Sequence, residues 1–211
     1  SVSQQTLIDN QSSRSYNVLP HAMVVNFQTV NFYFYPHGNG REVVSRADPE
    51  LPNLQITNEL TLQNVACGGF QRGVNFSQEA DNPGHIRFTG QYPSRCGEYV
   101  LPRAVLNAQD YTYGLFRKIW QELGGDFAGN LRLATAPEDL EPLVVWASPP
   151  LGDVIKSINK YSNNLMTREL LLTLGAELFG APATVEKGVR ALEQYLDELQ
   201  IPHEGLVVSN G

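Results

Sequence analysis

The sequence is poor in the residues that build metal centres, with two cysteines and four histidines in 211 residues. The histidines (His21, His37, His85 and His203) are scattered, each beside a proline or glycine in loop-like sequence, and read as surface or turn residues. Neither cysteine has a further Cys or His at ligand spacing, so no metal site is expected and no cofactor is called for. No apolar run approaches the ~20 residues of a membrane span. No leader with a charged start and apolar middle is visible, and the first residue is Ser rather than Met, so the chain reads as a mature or trimmed fragment. Basic residues are outnumbered 15 to 22, giving a net charge of -7. An acidic surface repels phosphate, which argues against nucleic acid as a partner. Internal repeats and low-complexity tracts are missing too.

What is present suits a globular chain with a core: 42% of residues are hydrophobic and 18% charged. The two cysteines, Cys67 and Cys96, sit in the Gly-rich polar stretches VACGGF and SRCGEY. Buried thiols prefer apolar neighbours, so this setting favours a disulfide between loops or strand ends over two free thiols, and with it an oxidising compartment. Such a bridge closes a loop of about 30 residues and contributes roughly 3 to 4 kcal/mol on the chain-entropy account.

The first half reads as β. Residues 22–35, AMVVNFQTVNFYFY, are rich in β-branched and aromatic residues. Val30, Phe32 and Phe34 share one parity and Val25 and Phe27 the other, which places a bulge or bend near Gln28. Further strands are expected at 42–46, 55–62 and 86–91, separated by the turn sequences DPELPN and DNPG. The second half reads as helix. Leu115, Phe116, Ile119, Trp120 and Leu123 form one stripe over 111–123, stopped by Gly124-Gly125. A strand-like stretch follows at 143–147, then a helix from Leu151. Another helix spans 164–179 and ends at Gly180. Thr184 caps a last helix running to about Gln200, and a strand begins at 206–209. The fold class is therefore α+β, with a boundary near residues 145–150: a β-rich region 1–147 and a mostly helical region 148–211.

The stretch 148–175, SPPLGDVIKSINKYSNNLMTRELLLTLG, holds the most chemistry. Ser162 and Asn164 stand at the start of an apolar helix. A hydroxyl there can relay a proton to a leaving amine, and an amide can hold a peptide carbonyl. The S-x-N pattern alone means little, since it occurs at Ser15/Asn17, Ser157/Asn159 and Ser162/Asn164, and each alone reads as a turn or cap. A formal S-x-x-K stands at Ser157–Lys160. A lysine one helical turn from a serine can deprotonate it, but a polar helix face gives the same pattern.

Context singles out Ser162/Asn164. The run INKYSNNLMTRELLLTLG resembles the second active-site motif of the penicillin-binding proteins of the carboxypeptidase B type, peptidase family S13. SPPLGDVIK resembles the segment leading into that motif. SYNVLPHAMVVNFQTV, CGGFQRGVNF, FTGQYPSRCGEY and the helix ending WQELGG resemble the family's large insert, and LVVSNG the strand before its third motif. The resemblance covers nearly the whole chain. It implies β-rich insert domains at 1–147 and part of a transpeptidase-like, penicillin-binding domain at 148–211. It implies a periplasmic serine-type D-Ala-D-Ala carboxypeptidase or endopeptidase that trims peptidoglycan peptides and binds β-lactams covalently. By position, Ser162 is the proton-shuttling hydroxyl and Asn164 the amide that orients the substrate's peptide bond. Ser157 and Lys160 then lie upstream of S-x-N and are a decoy. The family's nucleophilic serine with its lysine belongs before the insert and its K-T-G strand after LVVSNG, and no K-T-G occurs here. The remainder of the same enzyme is thus an implied partner, and the chain alone is expected to be inactive. Two alternatives stand beside this reading: a non-catalytic extracellular β-rich scaffold or binding module, and a secreted hydrolase acylated at Ser157.

Overall fold

The computed structural model describes residues 8–38, 40–135, 137 and 139–208. The architecture is α+β, with two three-stranded sheets and four α-helices among the described residues. The chain divides into two compact units, one formed by 13–15 and 22–131, the other by 1–12, 16–21 and 132–211. The division thus falls at 131/132, with a short N-terminal segment joining the helical unit.

The first unit holds all six strands. Strand β1 (Val30–Pro36) lies between β2 (Val43–Asp48) and β6 (Tyr99–Arg103), antiparallel to both. In the second sheet β5 (His85–Pro93) is central, parallel to β3 (Gln55–Gln63) and antiparallel to β4 (Val74–Gln78). The alternation read from the sequence sets the register: Val30, Phe32 and Phe34 are fully buried. The two sheets meet through Phe88 of β5, whose ring lies 5.0 Å from Phe32 and 4.8 Å from Phe34. Burying a side chain of this size contributes about 2–3 kcal/mol before entropy is counted, so this aromatic contact anchors the unit. Tyr92 is buried beside it and donates to the Phe34 and Gly97 carbonyls, at 3.2 and 2.6 Å.

The expected strand at 22–35 is shorter than its composition suggests. Asn26, Phe27 and Gln28 all take positive φ (46°, 51° and 52°), which is the bend expected near Gln28, and it is sharp enough that the strand starts only at Val30. Tyr111 holds the turn: its hydroxyl donates to the Thr29 carbonyl (2.9 Å) and accepts from Asn26 Nδ2 (2.8 Å). Burial pushes the Tyr111 phenol above its ordinary pKa, against the opposing pull of the Asn26 hydrogen bond. Helix α1 (Ala108–Glu122) is capped by Asn107, which accepts from the Asp110 N–H. It buries Ala108, Tyr111 and Gly114, while Phe116, Ile119, Trp120 and Leu123 of the sequence stripe remain exposed. Cys67 and Cys96 are joined in a disulfide with Cα atoms 4.7 Å apart. The bridge ties the loop after β3 to the turn after β5.

The second unit is built on α2 (Leu151–Tyr161), α3 (Asn164–Phe179) and α4 (Val185–Glu198), with α4 capped by Thr184. Helices α3 and α4 cross at Gly175 and Gly188. A Cβ on Gly175 would lie 2.6 Å from the Gly188 nitrogen, and one on Gly188 would meet the Leu171 carbonyl, so the backbones touch directly. The strand expected at 143–147 does not form: Leu143–Trp146 have no regular structure and are almost wholly exposed. β-branched composition gives strand propensity, but a strand needs a neighbour to pair with, and this segment has none among the described residues. Leu206–Val208 are irregular as well, and Ser209 lies outside the described residues.

Candidate active site

The candidate site is the turn between α2 and α3. Helix α2 ends because Ser162 adopts the left-handed conformation (φ 50°, ψ 54°). That residue reverses the chain while the N–H groups of Ser162 and Asn163 still bond the Ile158 carbonyl, the latter at 3.1 Å. Helix α3 then starts at once. Asn163 is its N-cap, its side-chain oxygen accepting from the Met166 N–H at 3.0 Å. Buried Ile158 and Leu165 pin the turn from either side.

The three residues of the motif therefore have three different jobs. Asn163 is consumed by capping. Ser162 is exposed, Asn164 half-buried, and among the described residues neither side chain has a protein hydrogen-bond partner. A serine hydroxyl and a carboxamide are thus held two residues apart, on a fixed turn, with donors and acceptors available to a ligand. Such groups can pass a proton and bind a peptide carbonyl. One turn along α3, Arg168 is buried and donates to the Val18 carbonyl at 3.3 Å, and burial lowers its pKa. The adjacent Glu169 carboxylate accepts from the His21 N–H at 2.8 Å. These bonds tie α3 to the N-terminal segment and fix its first turns.

The other two S-x-N matches differ in setting. Asn17 is buried and satisfied by Asp9, Gln11 and Ile8, so its amide is structural. Ser157 and Asn159 lie on the exposed face of α2. Ser157 and Lys160 also face solvent one turn apart, with the Lys160 ammonium 5.5 Å from the centre of the Tyr161 ring. No group of three or more His, Cys, Asp or Glu able to hold a metal ion occurs among the described residues.

One polar cluster was not legible in the sequence. His85 is not a loose turn residue: it opens β5, with Nε2 2.7 Å from Thr57 Oγ1 and Nδ1 2.8 Å from Glu79 Oε1. Arg87 pairs with Glu59 and lies 4.0 Å from the same Glu79. The five side chains bridge β3, β5 and the end of β4 as a cross-strand clamp. Their pairing depends on the parallel β3–β5 register, which no local pattern encodes.

Comparison with known proteins shows what the chain is similar to. The profile of the D-Ala-D-Ala carboxypeptidase 3 (S13) family matches residues 2–211. D-alanyl-D-alanine carboxypeptidase DacB of Haemophilus influenzae is 25% identical over 113 residues, covering 54% of this chain and 24% of that protein. D-alanyl-D-alanine carboxypeptidase of Actinomadura sp. strain R39 is 27% identical over 129 residues, covering 60% and 24%. The crystal structure of penicillin binding protein 4 (dacB) from Haemophilus influenzae matches with a TM-score of 0.75 at 19% identity, over 100% of this chain and 46% of that one. The same protein complexed with a novel beta-lactam matches at 0.72 and 20%, over 96% and 46%. The matched segments thus cover about a quarter of the length of these curated relatives, and the whole chain covers under half of the solved structure. The profile match from residue 2 to residue 211 shows the family: the chain belongs to the D-Ala-D-Ala carboxypeptidase 3 (S13) family.

Proposed function

We propose that this chain is part of a serine-type D-Ala-D-Ala carboxypeptidase or endopeptidase of the bacterial cell envelope, acting on peptidoglycan peptides in the periplasm and acylated by β-lactams. In this reading residues 1–147 are the insert region and residues 148–211 are part of the penicillin-binding domain. A serine elsewhere in the longer enzyme attacks the carbonyl of the D-Ala-D-Ala bond. Its ester forms as the C–N bond breaks, and the departing D-Ala nitrogen takes up a proton. Ser162 hands over that proton and is recharged from the nucleophile's side, while Asn164 holds the peptide bond in line. Water then hydrolyses the ester.

The observation that carries the proposal is that Ser162 and Asn164 leave their polar groups free at the α2–α3 turn of a chain in this family. A free-standing binding module has no use for two unengaged polar groups there, and family membership favours the enzyme. The segment Leu143–Trp146, apolar and exposed, has the composition of a strand that pairs with sheet supplied by the rest of such an enzyme.

The test is acylation. The chain alone, incubated with a β-lactam and weighed intact, is expected to carry no adduct. In a longer polypeptide that adds the nucleophile and K-T-G segments, an adduct is expected on the added serine, and Ser162→Ala is expected to slow its formation roughly 10²- to 10⁴-fold. An adduct on Ser157 would overturn the assignment.

A further inference from the structure

The first unit contains a cleft of about 670 Å³ that lies apart from the α2–α3 turn in sequence and in unit. Its floor is apolar: Leu51, Leu54 and Ile56, with Ala47 and Pro52 beside them. Its rim is polar and comes from Glu50 and from the last turns of α1, Lys118, Gln121 and Glu122.

The charges of the rim are not balanced. The one lining cation, Lys118, is already engaged by Glu122 at 2.7 Å. That bond, with the fields of Glu122, Glu50 and Asp48, raises the Lys118 pKa, so the surroundings favour positive charge. Glu50 is exposed, and among the described residues its carboxylate has neither an ion pair nor a hydrogen bond. A carboxylate with no direct partner, beside Leu51, Leu54 and Ile56, is complementary to an ammonium group on an aliphatic stem, with the charge at the rim and the methylenes below. A carboxylate ligand would meet Glu50 and Glu122 and would have to displace Glu122 from Lys118.

We infer that this cleft is a binding site for a primary alkylammonium group, with Glu50 as the anionic contact and Leu51, Leu54 and Ile56 as the apolar seat. The inference is independent of the carboxypeptidase reading and stands or falls without it.

The test is an NMR titration of the ¹⁵N-labelled chain with n-pentylammonium chloride, and separately with sodium pentanoate. Saturable shifts at Leu51, Leu54, Ile56 and Glu122 are expected with the amine. Glu50→Gln preserves size and is expected to weaken binding roughly two- to five-fold, the range of a solvent-exposed ion pair. Lys118→Met removes the competing cation and is expected to tighten it. Tighter binding of pentanoate than of the amine overturns the proposal, as do an unchanged affinity in Glu50→Gln or shifts confined to acidic residues outside the cleft.

Discussion

Gly175→Ala isolates the crossing of α3 and α4. In a helix interior the change alone favours folding by about 1 kcal/mol, because alanine is the better helix former. The crossing opposes it. The new methyl would sit 2.6 Å from the Gly188 nitrogen and 2.8 Å from the Lys187 carbonyl carbon, both backbone atoms that cannot rotate away. Ordinary contact needs roughly 3.4 Å or more, so the helices must separate by most of an ångström. Overpacking of this kind costs about 1–3 kcal/mol, and the net is a loss of about 1 kcal/mol. Hydrogen exchange read by mass spectrometry on peptides from 164–179 and 185–198 reports the local opening directly. Protection in both helices is expected to fall about five-fold, with amides of β1 and β5 unaffected. Gly188→Ala is expected to act alike, because its methyl meets the Leu171 carbonyl. The double variant should lose less than the sum, since one separation relieves both clashes. If Gly175→Ala raised protection, helix propensity would outweigh the crossing and the close-contact argument would be wrong.

Four further outcomes follow from the same structure. Replacing both Cys67 and Cys96 by serine should lower stability of the first unit by roughly 3–4 kcal/mol in urea titrations, because the joined cysteines stand 29 positions apart. Thr184→Ala should cost about 1 kcal/mol by removing the α4 cap that accepts from the Lys187 N–H, read as lost helicity at 222 nm. The Glu186 carboxyl is held below the usual glutamate range by its own backbone N–H and by the Thr184 hydroxyl. A depressed folded pKa gives stability that is present above the unfolded value and lost as pH falls through the folded one, so α4 should loosen only on acidification below the normal glutamate range, and ¹³C-detected titration should show the midpoint rising in Thr184→Ala. Ser162→Gly should stabilise the α2–α3 turn by about 0.5–1 kcal/mol, since glycine takes positive φ without steric cost, while removing the hydroxyl; a drop in the melting temperature would contradict the left-handed assignment.

Much of the fold was readable because local physics decided it. The parity of Val30, Phe32 and Phe34 fixed which face of β1 is buried. The apolar spacing after Asn164, closed by Gly180, and the capping hydroxyl of Thr184 located α3 and α4 closely. What was missed depended on distant partners. Pro102 removes a donor and obscures β6, yet it is tolerated because β6 is an edge strand that among the described residues pairs with β1 alone. The parallel pairing of β3 with β5, and with it the Thr57–His85–Glu79 clamp, rests on a register set across the sheet. At the candidate site, pattern and context pointed to Ser162 and Asn164, but S-N-N does not reveal which asparagine caps the helix. Only the turn geometry assigns that task to Asn163 and leaves Asn164 available.

The left-handed residue at the end of α2 is also a joint. Ser162 is the single residue between the last of α2 and the cap of α3, so its φ and ψ, with those of the extended cap Asn163, set the angle between two helices and the direction in which its hydroxyl points. The aim of the hydroxyl is therefore a mechanical property of the helix pair. Whatever rocks α2 against α3 swings the Ser162 oxygen, while Asn164, rooted in the first turn of α3, stays with its helix. The spacing between the two groups is then adjustable through Ser162 and Asn163, and a load applied far along either helix reaches the serine–carboxamide pair through those two residues.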